Sequence, residues 1–198
     1  MALSPRLETL EAIEQRIWSE LGTAAQRRLD GVPVHEWRTM VLATLDGSAP
    51  DARTLVLREV DDRERHLVFY TDARSPKVRQ IETSPVGALM CWSRELDWQL
   101  RMQVRLGVEA SGLAVSSRWA RLQMSPAAHD YLAPQAPGSR LHEAPGVLAP
   151  PRLTPDLGTR SHFAMITALV EEIDWLELHP EGHRRAIFGR EGGHWIQP

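Results

Sequence analysis

Apolar and polar positions alternate with two different periods along this chain. Near the start, Leu7, Leu10, Ile13, Ile17 and Leu21 recur at steps of three and four. That spacing predicts an amphipathic helix over about residues 4–22, with Ser4 and Pro5 opening it and Gly22 stopping it. The period then shortens to two. "WRTMVLATL", "ARTLVLREV" and "HLVFYT" read as strands, separated by the polar turns "DGSAPD" and "DDRER". A short helix is expected from about Pro76, followed by "VGALMCW" and "WQLRMQVRLGVEA" as two more strands. "VSSRWARLQM" reads as a further short helix, and "HFAMITALVEEIDWLEL" as one or two strands. "HRRAIFGREGGHWIQP" reads as a hairpin with Gly192 and Gly193 at its turn.

Successive strands on short connections favour an antiparallel sheet or barrel, so the expected class is mainly β with flanking helices. No repeat or linker divides the chain, and residues 1–198 are read as one domain. The exception to the pattern is residues 133–158, rich in proline and without periodicity, which form either a loop or an extended arm lying over a neighbour.

Composition narrows the function classes. The chain has 23 Lys and Arg against 26 Asp and Glu, a net charge of −3, so the basic footprint of a nucleic-acid binder is absent globally. The single cysteine, Cys91, lies in an apolar run and reads as a buried thiol rather than a nucleophile. Eight histidines invite a metal, but His179 and His183 are separated by Pro180 and Gly182 and have no third ligand at a suitable spacing. No metal site is expected. The charged N-terminal stretch has no apolar core of a leader, and no run is long enough to span a membrane, so a cytoplasmic protein is expected.

The chemistry concentrates in "FYTDARSPKVRQIE". It begins as a strand and ends as a helix, and Thr71, Arg74, Ser75 and Lys77 collect at the switch. Ser75 before Pro76 suits an N-cap and first-turn proline, and a helix N-terminus attracts anions. One strand earlier, Arg53 and Arg58 bracket the apolar segment of "ARTLVLR", and arginine holds phosphate as a two-pronged donor. The same residues also describe an ordinary helix start with solvated arginines. No glycine-rich phosphate loop is present.

The succession "RTLVLR", "FYTDARSPKVRQI" and "W…WQLR", closed by "DWLELHPEGHRRAIF", resembles pyridoxamine 5′-phosphate oxidase and its FMN-binding relatives over about residues 37–188. The resemblance implies an FMN-binding split β-barrel that forms a homodimer, with FMN at the dimer interface. It places Arg53 and Lys77 on the FMN phosphate, helped by Ser75 and Thr71. It sets the backbone of Thr54, Leu55, Val56 and Leu57 and the side chain of Tyr70 along the flavin. Arg58 stands where the family has a lysine near flavin and substrate. Gln99, or Gln103 on the same strand face, would reach the flavin. Trp175 and Arg185 would contribute from the C-terminal segment, and His183 would lie near the substrate, so Arg58 and His183 are the candidate catalytic residues.

The chain also departs from that pattern. Pro76 replaces a phosphate-binding arginine, with Arg74 as a candidate substitute. The substrate-phosphate set of the true oxidase is not matched in "RLQMSPAAHDYLAP", and Glu181 stands where an arginine faces the substrate. The resemblance therefore implies an FMN-dependent oxidoreductase with a substrate other than pyridoxamine 5′-phosphate. The alternative is a non-catalytic holder of flavin, deazaflavin or haem.

Overall fold

A computed structural model describes residues 6–26, 33–141 and 162–198. Eight strands form one antiparallel sheet in the order β3-β2-β1-β4-β5-β6-β7-β8, and a further pairing of β3 with β6 closes six of them into a barrel. The strands are β1 (Thr39–Asp46), β2 (Ala49–Asp61), β3 (His66–Asp72), β4 (Val86–Ser93), β5 (Trp98–Glu109), β6 (Phe163–Glu177), β7 (Arg184–Gly189) and β8 (Gly192–Ile196). The helices are α1 (Leu10–Ala25), α2 (Pro76–Thr83) and α3 (Leu113–Leu122).

The two-residue period decides which side chains fill the barrel. Met40 and Leu42, Leu55 and Leu57, Leu67 and Phe69, Leu89 and Cys91, and Leu100, Met102, Val104 and Leu106 all point inward and are nearly or fully buried. Two bulges shift that phase. In β2, Leu57 pairs with Phe69 and Glu59 with Val68, which leaves Arg58 as an extra residue. In β6, Val170 pairs with Val104 and Glu172 with Gln103, which leaves Glu171 extra. A bulge bends its strand and re-aims the side chains beyond it. The bend in β6 lets its first half pair with β3 and its second half with β7, while β5 follows it throughout. It is one strand of 15 residues.

Helix α1 starts later and ends later than the sequence spacing suggests. Its N-cap is Thr9, whose Oγ1 accepts a bond from the Ala12 amide at 3.2 Å, while Ser4 and Pro5 lie outside the described residues. Gly22 sits inside the helix rather than ending it. Ile13, Ile17, Trp18, Leu21 and Ala24 are buried on one face, and that tertiary packing carries the last turn past the glycine. The C-terminal hairpin also differs from expectation. Gly189 pairs with Gly192, so its turn is Arg190–Glu191, and Gly192, at φ 116°, begins β8. Of the proline-rich stretch, residues 133–141 are described and the remainder lies outside the described residues.

At one end of the barrel four tryptophans meet. Ring centroids lie 6.4 Å apart for Trp37 and Trp98, 5.2 Å for Trp98 and Trp175, and 6.2 Å for Trp175 and Trp195. Beside them Glu177 accepts bonds from Arg6, Arg184 and the Trp98 indole, tying the N-terminal segment to β6 and β7. Burial alone would raise the Glu177 carboxyl, but the bonds from Arg184 and Arg6 outweigh it and hold it below its ordinary value. A depressed carboxylate stabilises the fold fully above its unfolded-state value, about 4.5, and loses that contribution as pH falls through the folded value. Melting temperature should therefore fall as pH drops below about 5, and Glu177→Gln should flatten that part of the profile. An equally steep profile in the variant would remove Glu177 as the cause.

Candidate functional site

Strands β2 and β3 part company above the bulge. They pair only over residues 57–61 and 66–69. Beyond that, β3 continues as Tyr70, Thr71 and Asp72 bonded to β6, while residues 53–56 of β2 are bonded to β1 alone. The barrel wall is split there. Leu55 and Leu57 turn inward at 7% and 0% exposure, and Thr54 and Val56 turn outward. What the split presents from β2 is therefore peptide backbone without a strand partner on that side, which suits hydrogen bonding to a flat ligand.

The cations stand at the mouth of the split. Ser75 occupies the N-cap position of α2 with Pro76 following, but its hydroxyl makes no capping bond. It accepts instead from Lys77 Nζ at 2.5 Å, and Thr71 Oγ1 accepts from the same nitrogen at 3.2 Å. Burial and the neighbouring Arg53 charge both pull the Lys77 ammonium below its usual range. Two cations crowded together with hydroxyls, beside a helix start, describe a site for a doubly charged anion. Arg53 is held in place from behind. It donates to Thr44 Oγ1 at 2.5 Å, Asp51 Oδ2 at 2.5 Å and Gln80 Oε1 at 2.7 Å, and Thr44 and Gln80 are themselves buried. Bonds from Gln80 and Arg53 keep the Asp51 carboxyl low. Arg74 is not available as a substitute cation. It grips Asp72 with two nitrogens and donates to the carbonyls of Ala133, Pro134 and Gln135.

At the other end of the split, where pairing resumes, the bulge turns Arg58 and Glu59 onto one face, and both meet Tyr70. The Arg58 guanidinium lies 5.5 Å from the Tyr70 ring centre, and its buried Nε has no partner among the described residues. The Tyr70 hydroxyl donates to Glu59 Oε1 at 2.9 Å. Burial, then this carboxylate, push the phenol up to about 12. Arg118 from α3 closes on Glu59 with two bonds, of 2.7 and 2.5 Å. Sequence reasoning missed Glu59 and Arg118.

The remaining candidates sit elsewhere. Gln99 pairs with Leu176 and Leu176 with Arg185, so both lie on one outward row of β5, β6 and β7. Arg185 is paired with Asp174 through two bonds of 2.9 and 2.7 Å. Gln103 faces the same way and donates to Glu172 at 3.2 Å. His183 is exposed, and its Nδ1 accepts from the His179 amide, which leaves Nε2 as the protonated nitrogen of the neutral ring. Trp175 is fully buried among the tryptophans. Within one chain this group lines the barrel wall away from the β2–β3 split.

Among the described residues no cluster of three or more His, Cys, Asp or Glu could hold a metal, and no helix is long and apolar enough to cross a membrane. Comparison with known proteins fits the split. A curated pyridoxine/pyridoxamine 5′-phosphate oxidase of Thermosynechococcus vestitus is 30% identical over 175 residues, covering 81% of this chain and 77% of that protein. One from Paraburkholderia phytofirmans is 33% identical over 95 residues, covering 48% of this chain and 43% of that protein. Among solved structures, a pyridoxamine 5′-phosphate oxidase-related FMN-binding protein of Nostoc punctiforme superposes with a TM-score of 0.64 at 25% identity, over 81% of this chain and 87% of that one. PhzG of Burkholderia lata shares the fold at a TM-score of 0.63 and 17% identity, over 95% and 92% of the two chains. The split-barrel architecture is thus shared along most of the chain. Residues 11–109, which carry both walls of the split and its cations, match the pyridoxamine 5′-phosphate oxidase FMN-binding domain, and the chain belongs to that family.

Proposed function

We propose that this protein is a homodimeric FMN-dependent oxidoreductase whose flavin lies in the β2–β3 split. The observation that carries the reading is the split itself, bare backbone from β2 capped by Arg53, Lys77, Thr71 and Ser75. Those residues would hold the phosphate, and the backbone of residues 54–57 with Tyr70 would line the ring system. Bound FMN supplies hydride and electron transfer, while the chain supplies position, charge and exclusion of water.

A second copy would complete the site. The outward face of β2, β1 and β4 exposes Val56 (37%), Met90 (40%) and Trp92 (38%), an apolar patch between the split and the Gln99–Arg185 row. Pairing two copies across it by a two-fold axis would bury the patch and carry one copy's Gln99, Arg185 and His183 toward the other's flavin. Arg58, whose Nε has no partner among the described residues, would then face substrate from one chain and His183 Nε2 from the other.

The test is reconstitution with FMN, read by visible absorption and sedimentation. A saturable flavin spectrum on a dimer supports the proposal. A protein that takes up no FMN, or binds it as a monomer, sinks it. A flavin that binds but is neither reduced by donors nor reoxidised by acceptors marks a carrier instead.

A further inference from the structure

The Arg58 bulge decides more than strand geometry. Without the extra residue, alternation would send Glu59 into the core, two residues after Leu57. With it, Val60 returns to the core side and Glu59 stays outside, against Tyr70 and Arg118. Four groups at this end of the split can serve an anion: the guanidinium groups of Arg58 and Arg118, the Tyr70 phenol between them, and the buried Tyr131 phenol, which bonds Arg58. Without a carboxylate they would form a doubly positive pocket suited to a phosphate. Glu59 already fills it. Its two oxygens take both donors that Arg118 points inward and the Tyr70 proton, and its side chain is only 35% exposed. Burial works against that charge, but the bonds from Arg118 and Tyr70 keep the carboxyl below its ordinary value.

We propose that Glu59 is a resident counter-ion that closes this cation set to phosphorylated substrates, so that the compound acted on is unphosphorylated at the end lying against β2 and α3. The inference rests on the flavin reading above and sharpens it to a substrate class. A dianion entering here would meet the Glu59 carboxylate at close range, and Arg58, which no carboxylate pairs among the described residues, would be the guanidinium at the Tyr70 ring left to receive it. Arg118 cannot turn to the newcomer without leaving Glu59 uncompensated.

The experiment uses the FMN-loaded protein, so that the corner of Arg53 and Lys77 is already occupied, and titrates inorganic phosphate against the flavin absorption band and by calorimetry. The wild type should show no saturable binding at millimolar phosphate. Glu59→Gln keeps an acceptor for Tyr70 and Arg118 but removes the charge, and should bind phosphate at least about tenfold more tightly, the change expected from one freed charge-assisted bond. Adding Arg118→Met to Glu59→Gln should abolish the gain. Saturable phosphate binding by the wild type, in step with Glu59→Gln, overturns the proposal and needs no variant to fold. So does a folded Glu59→Gln protein that gains nothing. Failure to load FMN is seen in the spectrum before phosphate is added. It would refute the cofactor reading and this inference with it, a result distinct from phosphate binding by a loaded protein.

Discussion

Replacing Arg53 with methionine should weaken FMN binding by about 100-fold, the upper part of the range for a lost charge-assisted interaction. Three groups fix this guanidinium at the mouth of the split, so it would meet an incoming phosphate already oriented. Preorganisation of that kind lowers the entropic cost of binding. The same bonds make the substitution costly in the empty protein. Gln80 Oε1 is buried and would keep only Thr44 as donor, a loss of about 1–3 kcal/mol of stability. Riboflavin separates the two effects, because it carries the ring system without the phosphate. Fluorescence titration should find riboflavin affinity nearly unchanged in the variant while FMN affinity collapses toward it. Equal losses for both ligands would mean that the substitution distorts the split rather than removing a phosphate contact.

Trp175→Ala should be the most destabilising single change in the barrel. The side chain is fully buried, edge-on to Trp98 and within 6.2 Å of the Trp195 ring centre, and the Arg184 guanidinium lies 5.7 Å from it. Truncating a buried aromatic of this kind costs about 3–5 kcal/mol, enough to leave a typical domain marginal. Trp175→Phe should cost much less. The indole nitrogen has no partner among the described residues, so the smaller ring forfeits packing but none of the described hydrogen bonds. Urea denaturation of the two variants checks this ordering. If both lose the same stability, the packing account fails.

The sequence made the strands and the β3-to-α2 switch, with its hydroxyls and lysine, readable for separate reasons. A two-residue period with polar turns leaves little freedom for strands as regular as β1 and β3. Ser-Pro before a helical pattern marks a helix start wherever it occurs, and "TDARSPK" places its hydroxyls and its lysine within one turn of it. The misses each have a physical origin. The start of α1 is set by a threonine that caps and by which face finds the barrel, neither of which periodicity weighs. Both bulges were visible in the letters as "LREV" and "VEEI", where two adjacent charged residues separate apolar ones. Strict alternation cannot hold all four in phase, so one residue must be extra. Overlooking that step in β2 concealed Glu59. Arg118 was illegible for another reason, because its partner lies 59 residues away and only the folding of α3 across β3 and β6 brings them together.

The split in the wall has an evolutionary side. Along residues 54–57 the ligand would meet peptide groups, which every amino acid possesses, while the side chains of Leu55 and Leu57 answer to the barrel interior. Selection on cofactor contact and selection on core packing therefore fall on the same few residues without competing. Such a segment can drift among apolar sequences and still receive the same ring. New specificity is free to arise one step later, at the bulge, where a single inserted position trades one outward side chain for two.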